Sequence, residues 1–428
     1  MPTTDAYKEV APWTTAQPSD RLPRDAWWTL YGDAQLNALQ NKLIANNPDL
    51  ATALANYDQA RAYSDQMRSG DSNTLGGQAG YEFDLWGSIR NQIASGKVPA
   101  AASAPDLESA RLCLSAQLVD GYVVLRGFDR DSALLEDAAK ACRRALNLTI
   151  DRHDGSIAPG LDVARAQTQL EAACSQAART LAQRALMEHA IAALVGESAS
   201  RFSIAPQIAD IGLPRIPAGI PSTLLQRRPD IAAEQRHVEA ATANLGVARA
   251  AYFPCVTLNA AGGCQSTPIA GWLTAPNSFW AVGPSMLPTI FDARKREAQA
   301  GEAGAALEEA SARYRGVTLT SLEEVEDSLA LLDRYHDAWP AAVAEADAAQ
   351  RSLDFSMDRY REGAVDYLDV VTSQTAALQT RRDALTLETL QLRASVAVIR
   401  ALGGGWEAPT APQAILPDSH ERLRAHGI

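Results

Sequence analysis

The chain has 428 residues, 46% of them hydrophobic and 21% charged, and its 39 Lys and Arg against 51 Asp and Glu leave a formal net charge of -12. That length allows two or three domains with folded cores. An acidic chain without a basic run cannot displace counterions from phosphates, so nucleic acid is excluded as a partner. Aromatic residues make up only 6%, so packing must rest on small side chains such as Ala, which suit long, close-packed helices.

Few residues carry chemistry. Cys113, Cys142, Cys174, Cys255 and Cys264 are odd in number with no CxxC, and the six histidines show no HxxxH. Neither a disulfide framework nor a metal site is expected, and no cofactor. No GxSxG, Walker loop, GxGxxG or HExxH is present, so the chain does not read as an enzyme. The opening residues MPTTDAYKEVAPW show no charged n-region or apolar h-region and read as carrying no secretory signal. No window of 18 apolar residues occurs, which excludes a helical membrane span but not a membrane strand.

In chain order, residues 1–33 read as an extended N-terminal segment and 34–64 as a helix. From Leu75, the residues Leu75, Gly77, Ala79, Tyr81, Phe83 and Leu85 alternate with Gly76, Gln78, Gly80, Glu82 and Asp84. This period of two predicts a strand region over 72–86 with one apolar face. On period alone it suits a small soluble sheet as well as a membrane barrel. Long helices follow over 88–150 and 159–196, with a seam of Leu107, Leu114, Leu118, Tyr122 and Leu125 that continues through Leu135, Ala138, Cys142 and Ala145.

After a Pro-rich linker at 213–221 come a helix over 229–250 and strand regions over 253–264 and 279–290. Helices over 294–337, 340–361 and 366–402 follow, then a tail over 406–428. In the last helix Val371, Leu378, Leu385, Leu392 and Ile399 recur every seven residues, which keeps one seam against a neighbouring helix. Gly403, Gly404 and Gly405 read as a helix stop.

The chain repeats itself. RHDGSIAPGLDVARAQ from Arg152 matches RYREGAVDYLDVVTSQ from Arg359, pairing Arg152 with Arg359, Leu161 with Leu368 and Asp162 with Asp369. The two copies span 34–212 and 222–405. Helices this long cannot bury both faces within one chain, so sibling chains must cover them, and cyclic symmetry closes such a set into a ring.

DAWWTLYGDAQLNALQNKLIANNPDL from Asp25, YEFDLWGSIR from Tyr81, LLQRRPDIAAEQR from Leu224, GVARAAYFP from Gly246 and the two LDV-containing turns resemble the TolC-like outer-membrane efflux factors of the lipoprotein-type branch. The resemblance implies a mainly α fold with a small β part. Long antiparallel coiled-coil helices would form a trimeric α-barrel, joined to a shared antiparallel transmembrane β-barrel. It implies a homotrimer in the outer membrane of a Gram-negative cell with a periplasmic extension. Such a channel passively conducts drugs or other small toxic molecules received from a periplasmic adaptor and an inner-membrane pump.

Carried over by position, Leu368, Asp369, Asp366 and Thr372 would form the periplasmic gate. Arg152, Leu161, Asp162, Arg359, Tyr360 and Gly363 would form the turns that meet the adaptor. Tyr81, Phe83, Leu85, Val256, Leu258, Trp280 and Val282 would face outer-membrane lipid. Three copies of Asp366 or Asp369 about 6 Å apart would repel by roughly 0.7 kcal/mol per pair in water and favour cations. The same aspartates equally suit a helix-capping role.

Several residues depart from the family pattern. Thr372 stands where the family often has an acid. Ser156 stands opposite Gly363, with Gly155 displaced by one, so the first turn is expected to be built differently. Pro99 and Pro105 fall where a continuous helix is expected, and a kink is predicted there. An entire strand is missing from the first copy, where YSDQMRSGDSNT from Tyr63 offers no alternating replacement, so each chain should give three strands. Truncation or omission explains this better than gene decay, because the heptads elsewhere are intact. The competing readings are a soluble periplasmic coiled-coil scaffold or adaptor, and a truncated, non-conducting channel homologue.

Overall fold

The computed structural model describes residues 26–69, 78–208, 210–214, 228–264, 278–287 and 291–404. A 3-10 turn at Trp27–Tyr31 leads into α1 (Ala34–Asn46) and α2 (Pro48–Ser69), then β1 (Gln78–Glu82), α3 (Ser88–Asp154) and α4 (Gly160–Leu194). The second copy supplies α5 (Pro229–Ala250), β2 (Cys255–Cys264), β3 (Ser278–Leu287), α6 (Lys295–Arg361) and α7 (Tyr367–Ala401). The ends of α3 and α6, 88 and 295, 154 and 361, all differ by 207, and so do those of α4 and α7, 160 and 367, 194 and 401. At 67 residues each, α3 and α6 are about 100 Å long.

Prolines set boundaries only where packing lets them. The helix expected over 34–64 is two helices, because Pro48 has no N–H to give the preceding turn and Asn47 is extended. Asn47 caps the second helix by accepting from the Leu50 N–H at 2.8 Å, while its amide donates to the Leu194 carbonyl at 2.7 Å. By contrast, the break expected between 337 and 340 does not occur, and α6 runs through Pro340. Leu332 and Ala346, buried on either side, hold the helix to its neighbours, and that packing outweighs a cost of about 3 kcal/mol. The kink expected at Pro99 and Pro105 does not end the helix: α3 runs through both prolines as one helix.

The main core lies where α1 and the Trp27–Tyr31 turn pack against α3 and the end of α7, around Leu36, Leu43, Leu118, Tyr122, Leu125 and Ile399. Asp33 caps α1, accepting from the N–H groups of Gln35 and Leu36 at 2.8 and 3.1 Å and from the Tyr122 hydroxyl at 2.7 Å. Among heptad positions, Leu392 and Ile399 are buried in this core. Gly403 and Gly404 end α7 with positive φ, and the Gly404 N–H bonds back to the Ile399 carbonyl.

The described strands form one antiparallel sheet in the order β1-β2-β3. Register places Tyr81 opposite Leu258 and Leu258 opposite Pro284, with Val256 opposite Met286 and Ala260 opposite Val282. Trp280, opposite Gly262, extends this apolar face. The other face carries Glu82, Thr257, Ser285, Asn259 and Gly283, with Phe279 near one end of β3. Within the described residues β1 covers five positions and β2 and β3 ten each. Residues 70–87 join α2 to α3, whereas 251–294 join α5 to α6. That difference is the length of one ten-residue strand and its loop. Tyr63 lies inside α2, and residues 70–77, the other place to seek a fourth strand, lie outside the described residues.

Candidate functional site

At the far end of the long helices, the α3–α4 and α6–α7 turns sit side by side over a small cluster of Ala145, Ala166, Tyr360, Tyr367 and Val370. Both turns have the same backbone. Gly363 adopts φ +78, and the Ala364 N–H reaches the Arg359 carbonyl at 2.8 Å. Ser156 adopts φ +59, and the Ile157 N–H reaches the Arg152 carbonyl at 2.8 Å. The first turn is therefore not built differently. A serine carries the left-handed position that glycine fills in the second copy, at a local cost of about 1 kcal/mol.

Arg152 joins the two turns. Its Nη1 donates to the Tyr360 carbonyl at 2.6 Å and to the Arg361 carbonyl at 3.2 Å, and its guanidinium lies 4.6 Å from the Tyr360 ring. A cation there meets the C-terminal carbonyls and negative dipole end of α6. Tyr360 is itself buried, edge-on to Tyr367 at 5.2 Å. Burial raises the Tyr367 hydroxyl above the usual phenol range. Tyr367 was not singled out from the sequence, because its counterpart in the first copy is Gly160 and the repeat comparison passes over it.

The two copies differ in charge at equivalent positions. Asp162 is buried and faces Arg165, with Nη1 to Oδ1 at 3.5 Å. In the second copy Asp369 is exposed, and Thr372 replaces Arg165. The Thr372 hydroxyl is turned back to the Leu368 carbonyl at 2.9 Å. Asp366 occupies the N-cap of α7, yet its side chain makes no capping hydrogen bond. Leu368 and Leu161 are both exposed. The residues of the second turn thus present Leu368, Asp366 and Asp369 outward, whereas Asp162 and Tyr360 are buried within the chain. Of the expected docking residues, Leu161, Arg359 and Gly363 remain on the surface.

Above the tip, α7 is tied to α3 by a series of ion pairs. Arg382 Nε meets Asp131 Oδ1 at 2.8 Å, Arg130 Nη1 meets Glu388 Oε1 at 2.7 Å, and Arg393 Nε meets Asp120 Oδ1 at 2.8 Å. Their carboxylates hold the three guanidiniums charged. Pairs more than 250 residues apart leave no local signal.

Of the strand residues expected to face lipid, Tyr81, Leu258, Trp280 and Val282 are exposed on the apolar face, and Val256 is half-buried there. Phe83 lies just past β1, continuing the ladder by one bond from its N–H to the Val256 carbonyl, and packs edge-on to Tyr81 at 5.2 Å. Leu85 lies outside the sheet, in the bend that leads to α3, because Asp84 caps that helix through the Ile89 and Arg90 N–H groups.

Comparison with known proteins agrees with this arrangement. A pyoverdine export outer membrane protein, OpmQ of Pseudomonas aeruginosa, is 30% identical over 91% of this chain and 89% of its own length. The outer membrane protein OprJ of the same organism is 27% identical over 89% of this chain and 86% of its own. The solved outer-membrane channel OprN superposes with a TM-score of 0.86 at 27% identity, covering 95% of this chain and 98% of that one. Residues 68–197 and 220–404 match the model of the outer membrane efflux protein family, and with the two 207-spaced hairpins above them the chain belongs to that family.

Proposed function

We propose that the protein is the outer-membrane channel of an efflux system, passing small toxic molecules outward from a periplasmic adaptor and an inner-membrane pump. Three chains would pool their strands into one membrane barrel and their helices into a periplasmic tube. The observation that supports this most directly is the segregated sheet, with apolar Tyr81, Leu258, Val282 and Trp280 on one face and Thr257, Asn259 and Ser285 on the other. A strand between lipid and a water-filled lumen needs that division. At the tip, Leu368, Asp366, Asp369 and Thr372 from each chain would ring the axis as the gate. Leu161, Arg359 and Gly363 would meet the adaptor.

The test is direct. The purified protein should need detergent, run as a trimer by light scattering, and give discrete conductance steps in planar bilayers. A monodisperse monomer in plain buffer would instead support a soluble scaffold.

One observation favours a second reading. Eighteen residues, 70–87, join α2 to α3 where 251–294 join α5 to α6, too few for two membrane-crossing strands of 9–11 residues and the turn between them. On this reading the chain is a channel homologue that assembles its helices but does not conduct. Trimers that give no conductance, and that begin to conduct when residues 251–294 are grafted in place of 70–87, would establish it.

A further inference from the structure

The sheet and the long helices meet at a collar of aromatic and basic side chains. Aromatic residues are only 6% of the chain, yet Trp86, Phe253 and Phe291 gather with Tyr252 where β1, β2 and β3 join α3, α5 and α6, and all four are exposed. Trp86 stacks on Phe253 with ring centroids 4.5 Å apart, and its indole N–H donates to the Pro254 carbonyl at 3.0 Å. Within four residues of these helix ends stand Arg90, Arg249, Arg294, Lys295 and Arg296, against Asp84, Asp292 and Glu297. The collar is therefore cationic in a chain whose net charge is -12. Aromatic side chains at such a boundary are expected of any membrane barrel. A cleft beside them is not.

That cleft, open and about 570 Å³ in volume, lies between Tyr252, Phe291, Arg294 and Arg296. Its two arginines differ. Arg296 is already engaged: its Nε meets Asp292, its Nη1 donates to the Ala251 carbonyl at 3.3 Å, and its guanidinium lies 5.9 Å from the Tyr252 ring. It builds the wall. The Arg294 side chain is 88% exposed, and its ion pair with Glu297 is long, Nε to Oε2 at 3.8 Å. Arg294 also holds a left-handed backbone, φ +67, where the offset of 207 sets Gly87, φ +78, in the first copy. The fold needs a left-handed residue at this point, which glycine supplies freely. An arginine there is a departure that the backbone does not require.

We propose that this cleft seats the phosphate of a membrane phospholipid, with the Arg294 guanidinium donating to the phosphate oxygens. This rests on the channel reading above. The apolar face of the sheet ends at the collar in Phe83, Val256 and Met286, so the acyl chains run along that face while Phe291, 86% exposed, lies beside them. A guanidinium fork matches phosphate oxygens in pairs. Among possible occupants, a phospholipid is the one that presents an anion directly beside an apolar tail. Each chain has one such cleft, so the seat fixes the height of the channel in the membrane through one lipid per chain.

Native mass spectrometry of the detergent-purified trimer with dioleoylphosphatidylglycerol tests the seat. The unaltered protein should retain one lipid per chain. Arg294→Gly, which keeps the left-handed position, should leave the trimer and its thermal midpoint intact while weakening retention about tenfold, the loss of a charge-assisted hydrogen bond. Glu297→Gln removes the competing carboxylate and should strengthen retention. Dioleoylglycerol, with the same tails and no phosphate, should not be retained. Equal retention by Arg294→Gly, retention of dioleoylglycerol to the same extent, or displacement of the lipid by equimolar inorganic phosphate would each overturn the seat. A trimer that retains no lipid would also overturn it, with another chain covering the cleft, and leave the channel reading standing. A monomer that needs no detergent would remove the membrane reading, and the seat with it.

Discussion

The hydroxyls of Tyr31 and Ser395, separated by 364 positions in sequence, lie 2.8 Å apart in the core. Ser395 donates to the Leu392 carbonyl at 2.6 Å, so the Tyr31 hydroxyl is the donor between them. Burial raises this phenol above its ordinary range. Tyr31→Phe should cost about 1 kcal/mol, the net value of one such bond. The raised value also sets a pH dependence. Stability from a phenol that keeps its proton in the fold is complete below about pH 10 and declines above it, as the unfolded tyrosine ionises. Denaturant midpoints measured at pH 8 and pH 11 should show a smaller alkaline loss in Tyr31→Phe.

Asp129 is the pivot of a buried charge network. It accepts from Arg184 Nε at 2.6 Å, Arg126 Nη1 at 2.7 Å and the Gln207 N–H at 3.1 Å. Arg126 is only 2% exposed. Asp129→Ala would leave the buried Arg126 guanidinium without a carboxylate, while Arg184 keeps Glu188 at 2.9 Å, and should destabilise the protein by about 3–5 kcal/mol. An unchanged thermal midpoint in detergent would contradict this.

Ser156 and Gly363 make opposite predictions from one backbone geometry. Ser156→Gly relieves a left-handed serine and should stabilise by about 1 kcal/mol, whereas Gly363→Ala should destabilise by a similar amount. The alanine Cβ would meet nothing closer than 3.7 Å, so conformation alone sets the effect. Chemical denaturation of the two variants side by side checks the signs.

If Leu368 and Asp369 ring the axis, replacing both with Ala should raise single-channel conductance. Asp369→Asn alone should reduce the preference for cations with little change in pore size. Reversal potentials in asymmetric KCl separate these outcomes, and a wild-type reversal potential for Asp369→Asn would remove Asp369 from the ring.

The two sheet faces should answer charge differently. Trp280→Arg puts a cation on the apolar face and should cost up to about 2–4 kcal/mol of membrane stability, depending on depth. Asn259→Arg, on the polar face, should be tolerated and shift ion selectivity. Equal loss of membrane insertion for both would contradict the division of the faces.

The sequence by itself determined the duplication, the helical class and the alternation of the strands. These depend on spacing along the chain, and the offset of 207 between Arg152 and Arg359 reappears in every boundary of the four long helices. Local rules failed where distant packing outweighed them. Pro340 reads as a break, but Leu332 and Ala346 are held against neighbours that no local window contains. Ser156 reads as a different turn, yet it takes the left-handed conformation because two closely packed helices must meet there. The tertiary structure alone decided which of two equivalent residues does what. Asp162 is buried against Arg165 while Asp369 faces outward, and Arg152 is engaged while Arg359 is not. A repeat makes the copies alike in backbone, but a single chain joins them only once, so one copy's face is covered and the other's is left exposed.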